Sequence, residues 1–172
     1  MNKIEFMEDL SMLKIINVKK EDLSELVMIE NLCFSKEEAA TKEAFEKRIE
    51  FYPDTFFVAE LDGRIVGFVN GPVIDAEFIT DDLFSESKEN PPFGGHQSVL
   101  GLAVSPHYQN LGLATKLLTH LEKEASGKKR KTVTLTCKEN LIRFYEKHGY
   151  ENKGVSNSQH GGVTWYNMIK EL

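Results

Sequence analysis

Apolar residues alternate or recur along this chain in a way that marks out short strands and amphipathic helices. Lys14-Ile15-Ile16-Asn17-Val18 predicts a first strand, and Asp22 precedes a helical pattern whose Leu23, Leu26, Val27, Leu32 and Cys33 line one face. A second short helix begins near Thr41, an N-cap residue with Glu43 in the first turn, and stops before Pro53. Residues 55–61 and 64–69 form two β-rich runs around Asp62-Gly63, the pair that a two-residue hairpin turn demands. Ser98 to Val104 predicts one continuous apolar strand, closed by Ser105-Pro106. A helix from about Gly112 to Ala125 presents Leu113, Leu117, Leu118 and Leu121 on a buried stripe. Thr132 to Thr136 reads as a β-branched strand, and Leu141 to His148 as a helix ended by Gly149 at C′. Two more strands are expected around Tyr150–Lys153 and Thr164–Ile169. The order β-α-α-β-β-β-α-β-α-β-β predicts an α/β (α+β) fold, a mixed sheet with helices on both faces. It forms one domain over residues 13–172, after an N-terminal extension of residues 1–12.

Composition narrows this picture. A chain of 172 residues with 41% hydrophobic and 28% charged residues supports a core and excludes disorder, collagen and coiled coil. No apolar run approaches the roughly 18 residues of a bilayer span, and MNKIEFMEDLSML lacks the pattern of a signal peptide. A cytoplasmic protein without membrane attachment is expected. Two cysteines, Cys33 and Cys137, are too few for a disulfide framework or a Cys-rich zinc site, and the histidine spacing makes no metal triad. The net charge of −6 repels phosphate backbones and attracts cations, so a nucleic-acid partner is not expected. Lys128-Lys129-Arg130-Lys131 reads as a solvated connection. Residues 74–95 lack a period; their length points to a functional or mobile loop, and Asp75, Glu77, Asp81, Asp82, Glu86 and Glu89 read as a solvated face with one or two functional members. Phe78, Phe84 and Phe93 either form an aromatic pocket with Pro91 and Pro92 or pack the loop on the body.

The most informative stretch is Leu102-Ala103-Val104-Ser105-Pro106-His107-Tyr108-Gln109-Asn110-Leu111-Gly112-Leu113-Ala114-Thr115. A strand runs into a turn whose small residues open a helix. Backbone N–H groups at a helix start lack partners, and the macrodipole favours an anion there. Gly112 permits close approach of a phosphate, and Ala114 keeps the next turn small.

A second stretch, Lys138-Glu139-Asn140-Leu141-Ile142-Arg143-Phe144-Tyr145-Glu146-Lys147-His148-Gly149-Tyr150, follows the next strand. Together the two resemble the GNAT superfamily of N-acetyltransferases, the first as its Gln/Arg-x-x-Gly-x-Gly/Ala loop and the second as its Asn-x-x-x-x-(Phe/Leu)-Tyr-x-x-x-Gly-(Phe/Tyr) signature. Order and separation agree over roughly residues 13–169. The resemblance implies a mostly antiparallel sheet containing a splayed pair of parallel strands, with acetyl-CoA as cosubstrate. It implies that Gln109, Asn110, Leu111, Gly112, Leu113, Ala114 and Thr115 wrap the pyrophosphate, and that Leu102, Ala103 and Val104 run along the pantetheine. Asn140 would contact the pantetheine arm, Phe144 would pack near it, and Tyr145 would be the general acid. Asn110 and Leu111 stand where the family often carries basic or small residues, which leaves binding to backbone amides with help from Lys116.

Acyl transfer to an amine needs a neutral nucleophile, donors for the tetrahedral oxyanion and a proton for the leaving thiolate. Direct attack in a ternary complex is expected, with Cys137 a small buried hydrophobe rather than a nucleophile. Within the superfamily, Ile29-Glu30-Asn31-Leu32-Cys33-Phe34, Phe57 to Phe68 and Gly94 to Val104 are most similar to the arylalkylamine (serotonin-type) N-acetyltransferases. That subgroup carries a His-x-His pair where this chain has Ser98 and Leu100. His96 shares their strand face by the period of two, which makes it the candidate base through water, or else an exposed loop histidine. His107 and His160 read as surface residues. The expected protein is an N-acetyltransferase acting on a small primary amine, arylalkylamine- or polyamine-like, as a monomer or homodimer. The alternatives are a protein Lys or N-terminal acetyltransferase with an open groove, and a non-catalytic acyl-CoA-binding sensor.

Overall fold

Asp62 and Gly63 adopt φ of 50° and 75°, the left-handed pair that matches a hairpin to the twist of its strands. The computed structural model, which describes residues 10–158 and 160–172, therefore brings β2 (Phe56–Leu61) against β3 (Arg64–Asn70) in antiparallel register, with a bulge between Ala59 and Glu60. β1 (Lys14–Asn17) adds to the free edge of β2, and β6 (Gly101–Val104) adds to that of β3. This first sheet has the order β1-β2-β3-β6. The second has the order β4-β5-β7-β9-β8, built from β4 (Val73–Ile74), β5 (His96–Val99), β7 (Thr132–Cys137), β8 (Glu151–Val155) and β9 (Tyr166–Glu171). Among the described residues only β5 and β7 pair in parallel; the other neighbours are antiparallel.

The single strand expected over Ser98 to Val104 is in fact two. β5 ends at Val99 beside β7, β6 starts at Gly101 beside β3, and the Leu100 N–H donates to Asn70 O at 2.8 Å between them. A Cβ on Gly101 would stand 3.4 Å from both Asn70 Nδ2 and Phe68 Cε2, so glycine lets the chain cross from one sheet to the other at close quarters. The parallel strands part here, which is the splay that the resemblance implied.

Helices cover both faces. α1 (Leu23–Cys33) and α2 (Lys42–Phe51) set Leu26, Ile29, Phe45 and Ile49 against Phe56, Val58 and Phe68. α3 (Leu113–Gly127) sets Leu113, Leu117, Leu118 and Leu121 against Phe57, Val69, Leu135 and Met168 on the other side. Neighbours along β2 thus point into opposite cores, and its apolar run needs no polar face. Thr41 Oγ1 accepts from the Ala44 N–H at 3.1 Å and caps α2. Asp22 does not cap α1; its Oδ2 accepts from the Lys19 N–H at 2.9 Å and builds the 3-10 turn Lys20–Asp22 that leads in. α4 (Ile142–Lys147) follows the 3-10 turn Glu139–Leu141 and ends at Gly149, φ 89°.

Of the expected extension, residues 1–9 lie outside the described residues, and Leu10–Met12 form a 3-10 turn. The long loop is anchored: Thr134 Oγ1 donates to Glu77 O at 2.7 Å, the Val73 N–H donates to Asn90 Oδ1 at 2.8 Å, and Ile79 is buried. Among the described residues no helix is long and apolar enough to cross a membrane, and no group of three or more His, Cys, Asp or Glu could hold a metal ion.

Candidate active site

Where β6 leaves β7, backbone groups are released from the ladder. The Ser105 N–H donates to Val66 O at 2.8 Å, so by antiparallel alternation Ala103 also faces β3, while the amides of Leu102 and Val104 face the gap. Ala103, expected along the cosubstrate, instead spends its amide on the ladder and its methyl in the core with α1 and α2. The Val104 carbonyl accepts from Gln109 Nε2 at 3.0 Å and from Cys33 Sγ at 3.2 Å. Gln109 thereby holds the following turn in shape.

That turn passes through two left-handed residues, Asn110 (φ 63°) and Gly112 (φ 82°). A Cβ on Gly112 would meet nothing within 4 Å, so its backbone conformation, not crowding, is what calls for glycine there. Gly112 stands at the N-cap of α3, whose first helical bond runs from the Lys116 N–H to Gly112 O at 3.1 Å. The N–H groups of Leu113, Ala114 and Thr115 consequently lie in the unpaired first turn, a place that suits a diphosphate. Leu113 buries its side chain in the core, so any contribution from it is backbone. Asn110 and Gly112 are exposed, while Leu111, Ala114 and Thr115 are half-buried. Asn140 is exposed on its 3-10 turn, and Phe144 packs at the core margin with its ring 4.5 Å from that of His148.

A cavity of about 240 Å³ opens at the splay. Val99, Leu100, Gly101 and Leu102 line it from one strand line, Leu135, Thr136 and Cys137 from β7, and Tyr145 from α4. Tyr145 is buried, and burial holds its phenol well above the ordinary tyrosine range, with the Cys137 thiol beside it adding to the effect. Burial also pushes the Cys137 thiol up to about 11, so sulfur there is a protonated, poor nucleophile near neutrality.

Two charged side chains that the sequence reading passed over line the same cavity. Glu30 on α1 and Arg48 on α2 are both buried. Glu30 Oε2 accepts from the Ala40 N–H at 2.7 Å, while Oε1 has no partner among the described residues. Burial raises its carboxyl, opposed by the Ala40 bond and by the charges of Arg48 and His160. A signal for both existed: Leu26, Ile29, Glu30 and Cys33 keep i, i+3, i+4, i+7 spacing, and Phe45, Arg48 and Ile49 do likewise. A charge on an apolar stripe is the exception worth explaining.

A roof of three segments borders the cavity, which stays partly open. His160 Nε2 donates to Glu38 O at 2.8 Å, Trp165 Nε1 donates to His160 O at 2.7 Å, and Phe84 stacks on His160 at 4.8 Å. Ser158 Oγ donates to Asp81 Oδ1 at 2.5 Å, and Lys138 pairs with Glu38 at 2.7 Å. His160, read as a surface residue, is thus the roof's central link. Of the loop phenylalanines only Phe84 lines the cavity; Phe78 and Phe93 are exposed, as are all six loop acids.

His96 does not reach the site. It opens β5, its Nδ1 lies 2.7 Å from Thr132 Oγ1, and it is absent from the cavity wall. It lies four positions before Leu100, about 13 Å of extended strand. Ser98 is buried and spends its hydroxyl on Pro72 O at 2.5 Å.

The chain is similar to known proteins over most of its length. The model of the Acetyltransferase (GNAT) family matches residues 23–150. An acetyltransferase of Pectobacterium atrosepticum is 30% identical over 110 residues, 62% of this chain and 64% of its own. An N-alpha-acetyltransferase of Sulfurisphaera tokodaii is 31% identical over 105 residues, 61% of this chain and 58% of its own. The chain therefore spans less than two thirds of the length of these curated relatives. The loading GNATL domain of CurA from Lyngbya majuscula superposes with a TM-score of 0.78 at 19% identity, covering 92% of this chain and 97% of that one. Arabidopsis thaliana Naa50, solved with the bisubstrate analogue CoA-Ac-MVNAL, gives 0.72 at 16% identity over 94% and 99%. At these identities the structures show a shared fold.

Proposed function

Since the chain belongs to the Acetyltransferase (GNAT) family, we propose that it transfers an acetyl group from acetyl-CoA directly to a small primary amine. The observation that carries this reading is the cavity itself, which brings Glu30 and Tyr145 from helices on opposite faces of the sheet to one strand gap. The residues present fit the cosubstrate: unpaired first-turn amides of α3 for its diphosphate and free backbone groups of Leu102 along the gap for its arm. Acetyl-CoA supplies an activated thioester carbonyl. Glu30 takes the proton that the substrate ammonium must lose to become a nucleophilic amine, and its raised affinity for protons suits it to that task. The Leu102 N–H faces the place where an oxyanion gathers charge. After the amine has bonded to the carbonyl carbon, the C–S bond breaks and Tyr145 gives its proton to the departing sulfur. His96 has no part in this scheme.

A polypeptide acceptor is the second reading. The Sulfurisphaera tokodaii relative is named an N-alpha-acetyltransferase, and Naa50 was solved with a peptide-bearing analogue. The roof formed by Glu38, Phe84 and His160 narrows the approach to the cavity, which favours a small acceptor over a polypeptide. The aromatic roof also suits an arylalkylamine body.

The test is CoA release from acetyl-CoA across arylalkylamines, aliphatic polyamines and short peptides. Turnover confined to the small amines supports the reading, and turnover confined to peptides replaces it with the second. Silence throughout, with acetyl-CoA binding seen by calorimetry, marks a non-catalytic acyl-CoA sensor instead.

A further inference from the structure

Arg48 is only 3% exposed, and a guanidinium cannot shed its charge to suit such a place. A buried cation is normally matched by an anion in contact or by a full set of acceptors. Among the described residues the one acceptor it meets is Asn70 Oδ1, 3.0 Å from Nη1. The remaining N–H donors belong to a side chain that lines the cavity. The Phe45 ring, 5.5 Å from Cζ, backs the guanidinium from the core side. A Cβ on Gly101 would come within 3.8 Å of Nη1, so the charge reaches the start of β6, next to the backbone that faces the thioester.

The obvious counterion is Glu30, yet the two form no ion pair among the described residues. Glu30 gives Oε2 to the Ala40 amide and leaves Oε1 without a partner among the described residues. One buried anion and one buried cation therefore border the same cavity, each with unused hydrogen-bonding capacity.

We propose that this cavity receives a zwitterion: the acceptor is an amino acid, whose carboxylate docks on Arg48 and whose amine meets Glu30. The fork of a guanidinium matches a carboxylate in geometry and charge. Phe34, Phe84 and Trp165 in the cavity wall suit an apolar or aromatic side chain. A polyamine fits poorly, because its second ammonium would lie against Arg48. This inference rests on the acetyl-transfer reading and narrows its acceptor.

The experiment uses matched pairs that differ only in the carboxylate, L-phenylalanine with phenethylamine and L-tryptophan with tryptamine. CoA release from acetyl-CoA is followed for the wild-type chain, Arg48→Met and Arg48→Lys. Wild type should favour the amino acid in kcat/KM by about tenfold or more, as loss of a charge-assisted hydrogen bond implies. Arg48→Met should bring the ratio to parity or below, and Arg48→Lys should restore part of it. The ratio is taken within one variant, so a lower folded fraction does not disturb it. A wild-type preference for the amine, or a ratio unchanged in Arg48→Met, overturns the proposal. So does a carboxylate requirement on the donor, seen as malonyl- or succinyl-CoA outpacing acetyl-CoA in wild type but not in Arg48→Met. Titration of L-phenylalanine into CoA-saturated protein separates the two levels. Binding abolished by Arg48→Met, without any CoA release, supports the carboxylate site while acetyl transfer fails. Turnover of amines alone leaves acetyl transfer standing and removes the carboxylate site.

Discussion

The Thr115 hydroxyl lies 3.0 Å from Nε2 of His148, so one hydrogen bond joins the phosphate loop's helix to the signature helix. Nδ1 of the same ring is 2.7 Å from the Phe144 carbonyl. A carbonyl only accepts, which puts the hydrogen on Nδ1 and makes Nε2 the acceptor for Thr115 in the neutral ring. The end of α4 is thereby held against the start of α3.

Replacing His148 by Ala should release that tie. A loss of about 1 kcal/mol in stability is expected, together with a roughly fivefold weaker CoA complex through the loosened first turn of α3. Thermal melts and calorimetry read the two separately. An unchanged CoA affinity would confine the bond to a purely structural part.

Tyr145→Phe removes a hydroxyl and little else. The kcat should fall on the order of 10²-fold, with acetyl-CoA binding nearly unaltered. Because burial holds this phenol above the ordinary tyrosine range, wild-type kcat should show no alkaline loss near the usual tyrosine value. Undiminished kcat in the variant would remove the acid from the mechanism.

Glu30→Gln keeps an acceptor for the Ala40 amide but no base. Burial raises the Glu30 carboxyl, so wild-type kcat/KM should fall as pH drops through a value above the ordinary carboxylate range. The variant should lose that acid limb and on the order of 10²-fold in rate. Linkage runs the other way: a carboxyl raised in the folded state contributes stability below its unfolded value and loses it as pH rises through the folded one. Relative to wild type, Glu30→Gln should therefore gain stability at pH 8 compared with pH 4. His96→Ala, outside the cavity, should leave the pH–rate profile in place. An acid limb that persists in Glu30→Gln and vanishes in His96→Ala would reverse the two assignments.

Two glycines should respond differently to alanine. A Cβ on Gly71 would stand 2.1 Å from the Ser98 carbonyl oxygen, and Gly71 O already accepts from Thr55 Oγ1 at 2.7 Å and Gln97 Nε2 at 2.8 Å. Backbone has to move, so Gly71→Ala should cost about 3 kcal/mol or more, a fall of roughly 6–12 °C in Tm for a chain of this size. Gly112→Ala meets no atoms and should cost only about 1–2 kcal/mol from its left-handed φ, while weakening CoA binding by disturbing the turn. Scanning calorimetry of both variants, with and without CoA, checks the contrast.

Local chemistry was legible in the sequence wherever a short stretch decides its own conformation. Asp62-Gly63 makes its turn, Thr41 caps its helix, Gly149 ends one, and the leucine stripe of α3 finds its core, because each depends on neighbours a few residues away. The two motifs likewise marked a helix start and the tyrosine that lines the cavity. What tertiary structure alone decided is which partner each backbone and side chain meets. An apolar run from Ser98 to Val104 is equally suited to either sheet, so nothing within it shows the crossing at Leu100. Strand periodicity put His96 on a face with Ser98 and Leu100, but not at the end of the strand where the cavity opens. Glu30 and Arg48 occupy buried helix positions whose charges only make sense once two helices, a strand gap and the roof come together. Burial of a charge is set by what packs around it, and those groups come from segments far apart in the chain.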